Sequence, residues 1–478
     1  MKKKIIFILF ILIIITGCSS TKDKVQDKLI IYALNDFHGD ILDESGNISV
    51  IGNYLMTERA KDTASTLILA SGDMFQGSAI SNLSQGKVVL EAMKAIGFQS
   101  MTIGNHEFDW GIDVLNSLSE EAPFPFLGAN ILEKETLSPV SWAKPYTVIQ
   151  KGKIKVGVIG IIGKGLTEDI SPSIIAPYTF GDEFEAVKKY AKVLRTEEDC
   201  DIVIVSAHND TKSINQRFAD LSGEYQVDAV FNGHTHQNYY GEVMGEDGIT
   251  MPYVQSGSYG SYIGKIEIKL DSQYKMKDGY ASNIRVSSKM AKESTVINGI
   301  VKKYQEELQP IIGEVLGVSG TSINRSQGTA WAADALKSAM DVDVAIINTG
   351  GIRAGGFPIA SNEDVTVGHI WSIMPFDNIV KTVTMRAGDL GSAISAGVML
   401  SSNASFVGGL LAIEGEVIDQ DMMISVATID FLFDNTSYRF LDGINQVNTQ
   451  ILFRDVLIND IRETCADGSK WYAATKYR

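Results

Sequence analysis

Cysteine is nearly absent from the chain: three residues in 478, at Cys18, Cys200 and Cys465. Three thiols cannot build the disulfide framework that staples small secreted scaffolds. Stability must therefore come from hydrophobic burial, and the length is enough for two cores rather than one. Cys200 and Cys465 are open either to pairing or to remaining free. Positive charge is in deficit, since 42 Lys and Arg face 58 Asp and Glu for a formal −16. With no basic stripe to neutralise a phosphate backbone, nucleic-acid polymers are excluded as partners. A small anionic substrate is not, because bound cations can reverse the local field. Repeats and low-complexity tracts are also missing, which excludes solenoid and disordered classes. Histidine is scarce at six residues, and where those six fall carries most of the functional argument.

The longest apolar run, Ile5 to Ile15, is shorter than the ~20 residues a membrane-spanning helix needs. It follows Lys2, Lys3 and Lys4 and ends in Ile15-Thr16-Gly17-Cys18. A basic start, a short apolar middle and small residues at the end read as an export signal over 1–17. The last four residues resemble the bacterial lipobox, which implies cleavage before Cys18 and a lipid on its thiol. Residues 18–27 then read as a polar tether, and the protein as an extracytoplasmic, membrane-anchored lipoprotein and a monomer.

From residue 28 to about 290, short aliphatic runs alternate with helical stretches. Leu29–Leu34, Thr66–Ala70, Met101–Ile103, Lys155–Ile161, Asp201–Ser206 and Asp228–Phe231 predict buried strands in a layered α/β domain. Near Tyr253–Leu270 the pattern changes to paired strands separated by Gly and Ser. Residues 291–310 predict a helical linker, with Lys302, Lys303, Glu306 and Glu307 on a solvated face. A second, smaller α/β domain over 311–478 contains predicted strands Val344–Ile347, Asp364–Val367 and Val380–Met385 and a helix from Trp331 to Met340.

Five of the six histidines sit in polar motifs directly after predicted strands. These are Asn35-Asp36-Phe37-His38-Gly39, Ser71-Gly72-Asp73, Gly104-Asn105-His106-Glu107-Phe108-Asp109, Ser206-Ala207-His208-Asn209-Asp210 and Gly233-His234-Thr235-His236. In α/β sheets the carboxyl ends of the strands form the ligand crevice. Five such ends bring Asp36, His38, Asp73, Asn105, His208, His234 and His236 towards one place. Any one of these motifs alone is weak, since an Asp-x-His or a Gly-Asp is usually an ordinary turn. Together they point to a mixed nitrogen and oxygen ligand set, which suits zinc, manganese, cobalt or iron better than calcium.

In these motifs the chain resembles the calcineurin-like metallophosphoesterases, and more narrowly the bacterial 5′-nucleotidase / UDP-sugar hydrolase family, from about Lys28 to Tyr438. The resemblance implies a four-layered α/β/β/α domain followed by a smaller substrate-binding domain. It implies two divalent metal ions (Zn, Mn, Co or Mg). One would be held by Asp36, His38, Asp73 and His236, the other by Asp73, Asn105, His208 and His234, with Asp73 as the bridge. Many members carry glutamine where this chain has His236. The resemblance makes His106 and Asp109 a catalytic pair, and an imidazole beside a carboxylate is held in one orientation with its cation favoured.

In the second domain Asn348-Thr349-Gly350-Gly351-Ile352-Arg353 resembles the family's substrate-arginine motif. Pro375-Phe376-Asp377-Asn378 resembles its Pro-Phe-Gly-Asn. The implied substrate residues are Asn348, Arg353, Phe376, Asn378, Phe431 and Arg325, with Phe376 and Phe431 as the two faces of an aromatic clamp. Where the family carries Gly-Gly-Asp-Gly-Tyr, this chain has Asp434-Asn435-Thr436-Ser437-Tyr438, so the usual substrate-contacting aspartate is missing or displaced. The activity implied is release of phosphate from extracytoplasmic nucleotides, with UDP-sugar hydrolysis within reach. A 2′,3′-cyclic-nucleotide 2′-phosphodiesterase/3′-nucleotidase and a non-catalytic nucleotide-binding lipoprotein are the alternatives.

Overall fold

The computed structural model describes residues 26–41, 47–209, 213–393, 397–435 and 438–473. The export signal, Cys18 and nearly all of the tether lie outside the described residues, as does Asp210. No helix among the described residues is long and apolar enough to cross a membrane.

The first half is built on two six-stranded sheets. In one, Lys28–Leu34, Thr66–Ser71, Ser100–Thr102 and Phe126–Leu127 run parallel in that order. The antiparallel strands Tyr262–Leu270 and Met276–Arg285 extend it beyond Lys28–Leu34. In the other, Thr250–Ser256, Ala229–His234, Ile202–Asn209 and Ile154–Ile162 run parallel, flanked by antiparallel Asn238–Met244 and Tyr146–Lys151. Strands buried on both faces need apolar residues at every position rather than at alternate ones. Thr-Leu-Ile-Leu-Ala-Ser at 66–71 and Ile-Val-Ile-Val-Ser-Ala at 202–207 meet that need, and every residue in both is buried.

The two-residue alternation of a strand sorts these side chains into layers. Leu29, Ile31, Leu67 and Leu69 meet Val156, Val158, Ile202 and Ile204 between the sheets. Tyr32, Leu34, Ile68 and Ala70 point outwards into a core shared with helices Ile48–Lys61, Lys87–Ile96 and Ile112–Glu121. On the other side Ile159, Ile161, Val203 and Val205 pack under Glu183–Thr196 and Ile214–Ala219. The result is the expected α/β/β/α sandwich.

One local expectation fails. The strands in Tyr253–Leu270 exist but do not pair, because Thr250–Ser256 belongs to one sheet and Tyr262–Leu270 to the other. The intervening residues carry the chain across, turning at Gly257, Tyr259 and Gly260, all with φ between 52° and 68°. A hairpin and a sheet-to-sheet crossing share the same Gly and Ser punctuation, so local sequence does not separate them.

The connecting helix spans Thr295–Ile312, starting four residues after and ending two residues after the expected 291–310. Ile297, Val301 and Tyr304 bury into the first domain's core, while Lys302, Lys303, Glu306 and Glu307 face solvent. The second half forms a five-stranded sheet ordered Val398–Leu400, Val344–Asn348, Met423–Ile429, Ile379–Arg386 and Ile444–Leu452. Its core includes Trp331, Leu336, Ile346, Val426 and Leu457, the last contributed by helix Phe453–Thr464. Cys200 and Cys465 are free thiols.

Candidate active site

The five polar motifs leave the carboxyl ends of their strands and fold back over one basin. Asp36, His38, Asp73, His234 and His236 all take positive φ, between 50° and 82°. Non-glycine residues seldom adopt this backbone, and it persists only where surrounding bonds impose it. Here Asp36 N–H donates to Gly72 O and His38 N–H to Asp73 O, both at 3.0 Å. The Asp36 carboxylate accepts from the backbone of His234 at 2.9 Å, and the Asp73 carboxylate accepts from the backbone of His106 at 2.9 Å. Each carboxylate thus ties its own loop to a loop from another strand.

Two ligand groups result. Asp36, His38 and His236 place one donor atom each within 4.8 Å of one another, and Asp73, His208 and His234 do the same. Asn105 joins the second group, its Oδ1 lying 3.2 Å from His208 Nε2 and 3.1 Å from His234 Nδ1. The outer nitrogens of two rings are fixed by backbone carbonyls. His208 Nδ1 is 2.8 Å from Ser71 O, and His38 Nδ1 is 3.1 Å from Gln76 O. With Nδ1 anchored there, the Nε2 atoms of both rings face inward, the arrangement that orients a metal-ligating histidine. His38 Nε2 and His236 Nε2 approach to 3.0 Å. Burial keeps His38 well below its ordinary pKa and brings His234 and His236 down to about 4, so all three rings are neutral donors.

These residues fit a pair of divalent cations. Asp36 and Asp73 are buried to 0% and 1% exposure, and their ion-pair partners among the described residues are histidines, with no lysine or arginine. Burial, with a smaller contribution from Asp73 and partial relief from His208, pushes Asp36 up to about 7. Burial opposes the His208 cation, but the Asp73 and Asp36 charges outweigh it and raise its pKa to about 10. Two buried carboxylates therefore share one histidine cation, and divalent ions in the basin would supply the countercharge that burial makes costly to lack.

His106 lies at the edge of the basin with Nδ1 2.8 Å from Asp109 Oδ2. Burial opposes its cation, but the Asp109 and Asp73 charges outweigh burial and raise its pKa. Arg353 reaches across from the second domain, with Nη2 3.0 Å from His106 Nε2. A guanidinium only donates, so in this state His106 carries its proton on Nδ1. Phe376 stacks on His106 with centroids 5.8 Å apart, and Arg353 lies 5.0 Å above the Phe376 ring.

A cavity of about 520 Å³ opens over Asp73, Asn105, His106, Asp109, His234 and His236, and Asn348, Arg353, Phe376, Asn378 and Phe431 form its other wall. Five of the six expected substrate residues are therefore brought to the ligand set. Arg325 is not: its Nε and Nη2 donate to Ile352 O at 2.7 Å and Thr349 O at 2.9 Å, bracing the loop that carries Arg353. Asp434 also stays away from the cavity, both oxygens 2.7 Å from Lys381 Nζ, so the aspartate of the altered motif is spent on an ion pair.

Several contributors carried no sequence signal. Asp169, Ser171, Ser173 and Ile174 line the cavity from a segment with no motif. Asp430 lines it too, accepting from Asn378 Nδ2 at 2.8 Å. The Tyr259 ring covers His38 and His236 at 5.4 and 5.7 Å. Glu107 sits inside a recognised motif yet serves a different purpose from its neighbours. Its buried carboxylate accepts from the backbones of Asp73 at 2.8 Å, Met74 at 2.9 Å and Gly104 at 2.7 Å, stapling two ligand loops together.

Comparison with known proteins agrees with this architecture. The calcineurin-like phosphoesterase profile matches residues 29–238, and the 5′-nucleotidase C-terminal domain profile matches 312–413. The endonuclease YhcR of Bacillus subtilis (strain 168) is 30% identical over 407 residues, covering 77% of this chain and 32% of that protein. The 5′-nucleotidase of Vibrio vulnificus (strain CMCP6) is 26% identical over 439 residues, covering 80% of this chain and 78% of that one. The crystal structure of a 5′-nucleotidase precursor from Thermus thermophilus superposes with a TM-score of 0.77 at 19% identity, over 91% of this chain and 96% of that chain. The fold and the paired domain matches define a two-domain metallophosphoesterase, and the chain belongs to the 5′-nucleotidase family of calcineurin-like phosphoesterases. It spans about a third of the length of the Bacillus relative.

Proposed function

We propose that the chain is a metal-dependent phosphohydrolase that releases phosphate from nucleotides outside the cytoplasm. The supporting observation is that one cavity reaches both ligand groups, through Asp73, His234 and His236, and sets them against an arginine and two phenylalanines from the second domain. Asp36, His38, Asp73 and His236 are proposed to hold one divalent ion, and Asp73, Asn105, His208 and His234 the other. When bound, such ions supply Lewis acidity, neutralising phosphoryl charge and lowering the pKa of water.

The chain's own side chains account for the remaining roles. Arg353 offers a planar fork of N–H donors matched to phosphoryl oxygens. Its bond to His106 is then exchanged for one to substrate, which frees Nε2 towards the cavity. Against the cost of burial, the Asp109 and Asp73 charges that raise the His106 pKa let the freed Nε2 take up a proton, and His106, oriented by Asp109 through Nδ1, delivers that proton to the leaving oxygen. Phe376 and Phe431 stack on the base, a sequence-tolerant contact, while Asn348 and Asn378 offer amide groups to the sugar and base. No group among these is placed as a covalent nucleophile, so direct in-line attack by water is the proposed route.

Assaying AMP, 2′,3′-cyclic AMP, UDP-glucose and NAD with manganese-loaded protein tests this reading. Fastest release of phosphate from AMP supports it. Preference for the cyclic diester moves the assignment to the phosphodiesterase/3′-nucleotidase alternative, and no turnover of any member rejects hydrolysis. Lipid anchoring at Cys18 is a separate proposal, resting on the N-terminal residues alone. Metabolic labelling with palmitate checks it, and label retained after Cys18→Ser would reject it.

A further inference from the structure

A second, smaller site lies at the opposite end of the sandwich. Catalytic residues follow the carboxyl ends of Thr66–Ser71 and Ser100–Thr102. Thr63 and Gln99 instead precede the amino ends of those same strands, and Lys151 closes Tyr146–Lys151 at the turn into Ile154–Ile162. At ~3.3 Å per residue, the strand Thr66–Ser71 alone separates the two regions by ~20 Å. Arg59, in the last turn of Ile48–Lys61, completes the group, and these residues line a cavity of about 360 Å³.

The charge arrangement here is unusual. Lys151 is only 6% exposed, yet its ammonium has no ion-pair or hydrogen-bond partner among the described residues. The stem is what is buried, and the ammonium opens onto the cavity, where a ligand can approach it. Its neighbour on the cavity wall is another cation. Among the described residues the Arg59 guanidinium is positioned by one bond, Nη1 to Gly97 O at 3.1 Å, which leaves further N–H donors open. Thr63 Oγ1 donates to Arg59 O at 3.1 Å and fixes the helix end that carries it. Burial, then the Arg59 charge, lower the Lys151 pKa, and Asp62 offsets part of this. Asp62 is itself engaged, accepting from Ser65 N at 3.2 Å.

Two cations sharing a concave pocket repel each other unless an anion lies between them. We propose that Arg59 and Lys151, with the Gln99 amide as a neutral donor, form a binding site for a tetrahedral phosphate oxyanion, distinct from the catalytic cavity. The fork of Arg59 takes two oxygens and Lys151 caps a third, the division of labour expected of these two side chains. The same phosphate chemistry is presented by free inorganic phosphate and by a phospholipid headgroup.

The test counts phosphate on the metal-loaded protein by equilibrium dialysis with radiolabelled inorganic phosphate at low ionic strength. Wild type should hold one more phosphate per chain than Lys151→Gln or Arg59→Gln, or bind that phosphate at least tenfold more tightly, with nucleotide hydrolysis unchanged within about twofold. Phosphate held at the catalytic cavity is common to all three proteins, so the difference stands even if the nucleotide assignment falls. Competition with glycerophosphoglycerol separates the sources. Displacement of the additional phosphate assigns the site to a lipid headgroup, and no displacement assigns it to free phosphate. Circular dichroism confirms folding, and Arg59→Gln carries the test if Lys151→Gln does not fold. Equal stoichiometry and affinity in wild type and the folded variants would overturn the proposal.

Discussion

Replacing Arg353 with alanine isolates what the second domain contributes to the chemistry. Arg353 is the one arginine lining the catalytic cavity among the described residues. It touches His106 and lies over Phe376, but it belongs to neither ligand group. The substitution should therefore leave metal content intact and remove one charge-assisted contact to the phosphoryl oxygens. Hydrogen bonds to charged groups contribute about 1.5–3 kcal/mol, and each 1.36 kcal/mol is tenfold. The expected fall in kcat/KM is then about 10- to 150-fold. Lysine restores charge without the planar fork, so Arg353→Lys should recover part of the loss and stay below wild type. Steady-state kinetics on AMP beside metal analysis of the same preparations decides the matter. A loss under threefold for alanine, or a loss matched by missing metal, would refute the reasoning that Arg353 acts on substrate.

His106→Ala should lower kcat by about 10²–10⁴-fold, the range for a positioned acid or base, with metal content unchanged by elemental analysis. Phe376→Ala and Phe431→Ala should each weaken nucleotide binding by about 1–3 kcal/mol, read as a raised KM, and less so for a substrate with no base. Glu107→Gln puts an amide N–H against at least one of three backbone donors. It should weaken metal binding by about 10–100-fold, as loss of an outer-shell partner does, and a manganese titration followed by electron paramagnetic resonance will show whether it does. Chelation should abolish activity and lower the melting temperature, because buried Asp36 and Asp73 lose their countercharge. Manganese, zinc or cobalt should restore both.

The ligand set was legible because strand periodicity and motif chemistry are both local. A run such as Thr-Leu-Ile-Leu-Ala-Ser specifies a strand buried on both faces, and the polar cluster after it must then lie at the strand's carboxyl end. Five repeats of that grammar placed Asp36, His38, Asp73, Asn105, His208, His234 and His236 without reference to distance. Residues whose roles depend on what faces them were not legible. Arg325 has the composition of a substrate ligand, yet the Ile352 and Thr349 carbonyls claim it. Asp434 is held by Lys381, 53 positions away. Glu107 looked like one more acidic motif residue until three backbone donors converged on it.

Sequence by itself determined the alternating α/β pattern, the scarcity of disulfides, the acidic balance and which side chains are candidate metal ligands, since each follows from residue type and short-range spacing. Only the tertiary structure decided which sheet each of Thr250–Ser256 and Tyr262–Leu270 joins, and that Arg353 and Phe376 from one domain close on His106 from the other. It likewise decided that Arg59 and Lys151 share a pocket. Those outcomes rest on contacts between residues tens to hundreds of positions apart, whose energies exist only once burial has removed water from between them.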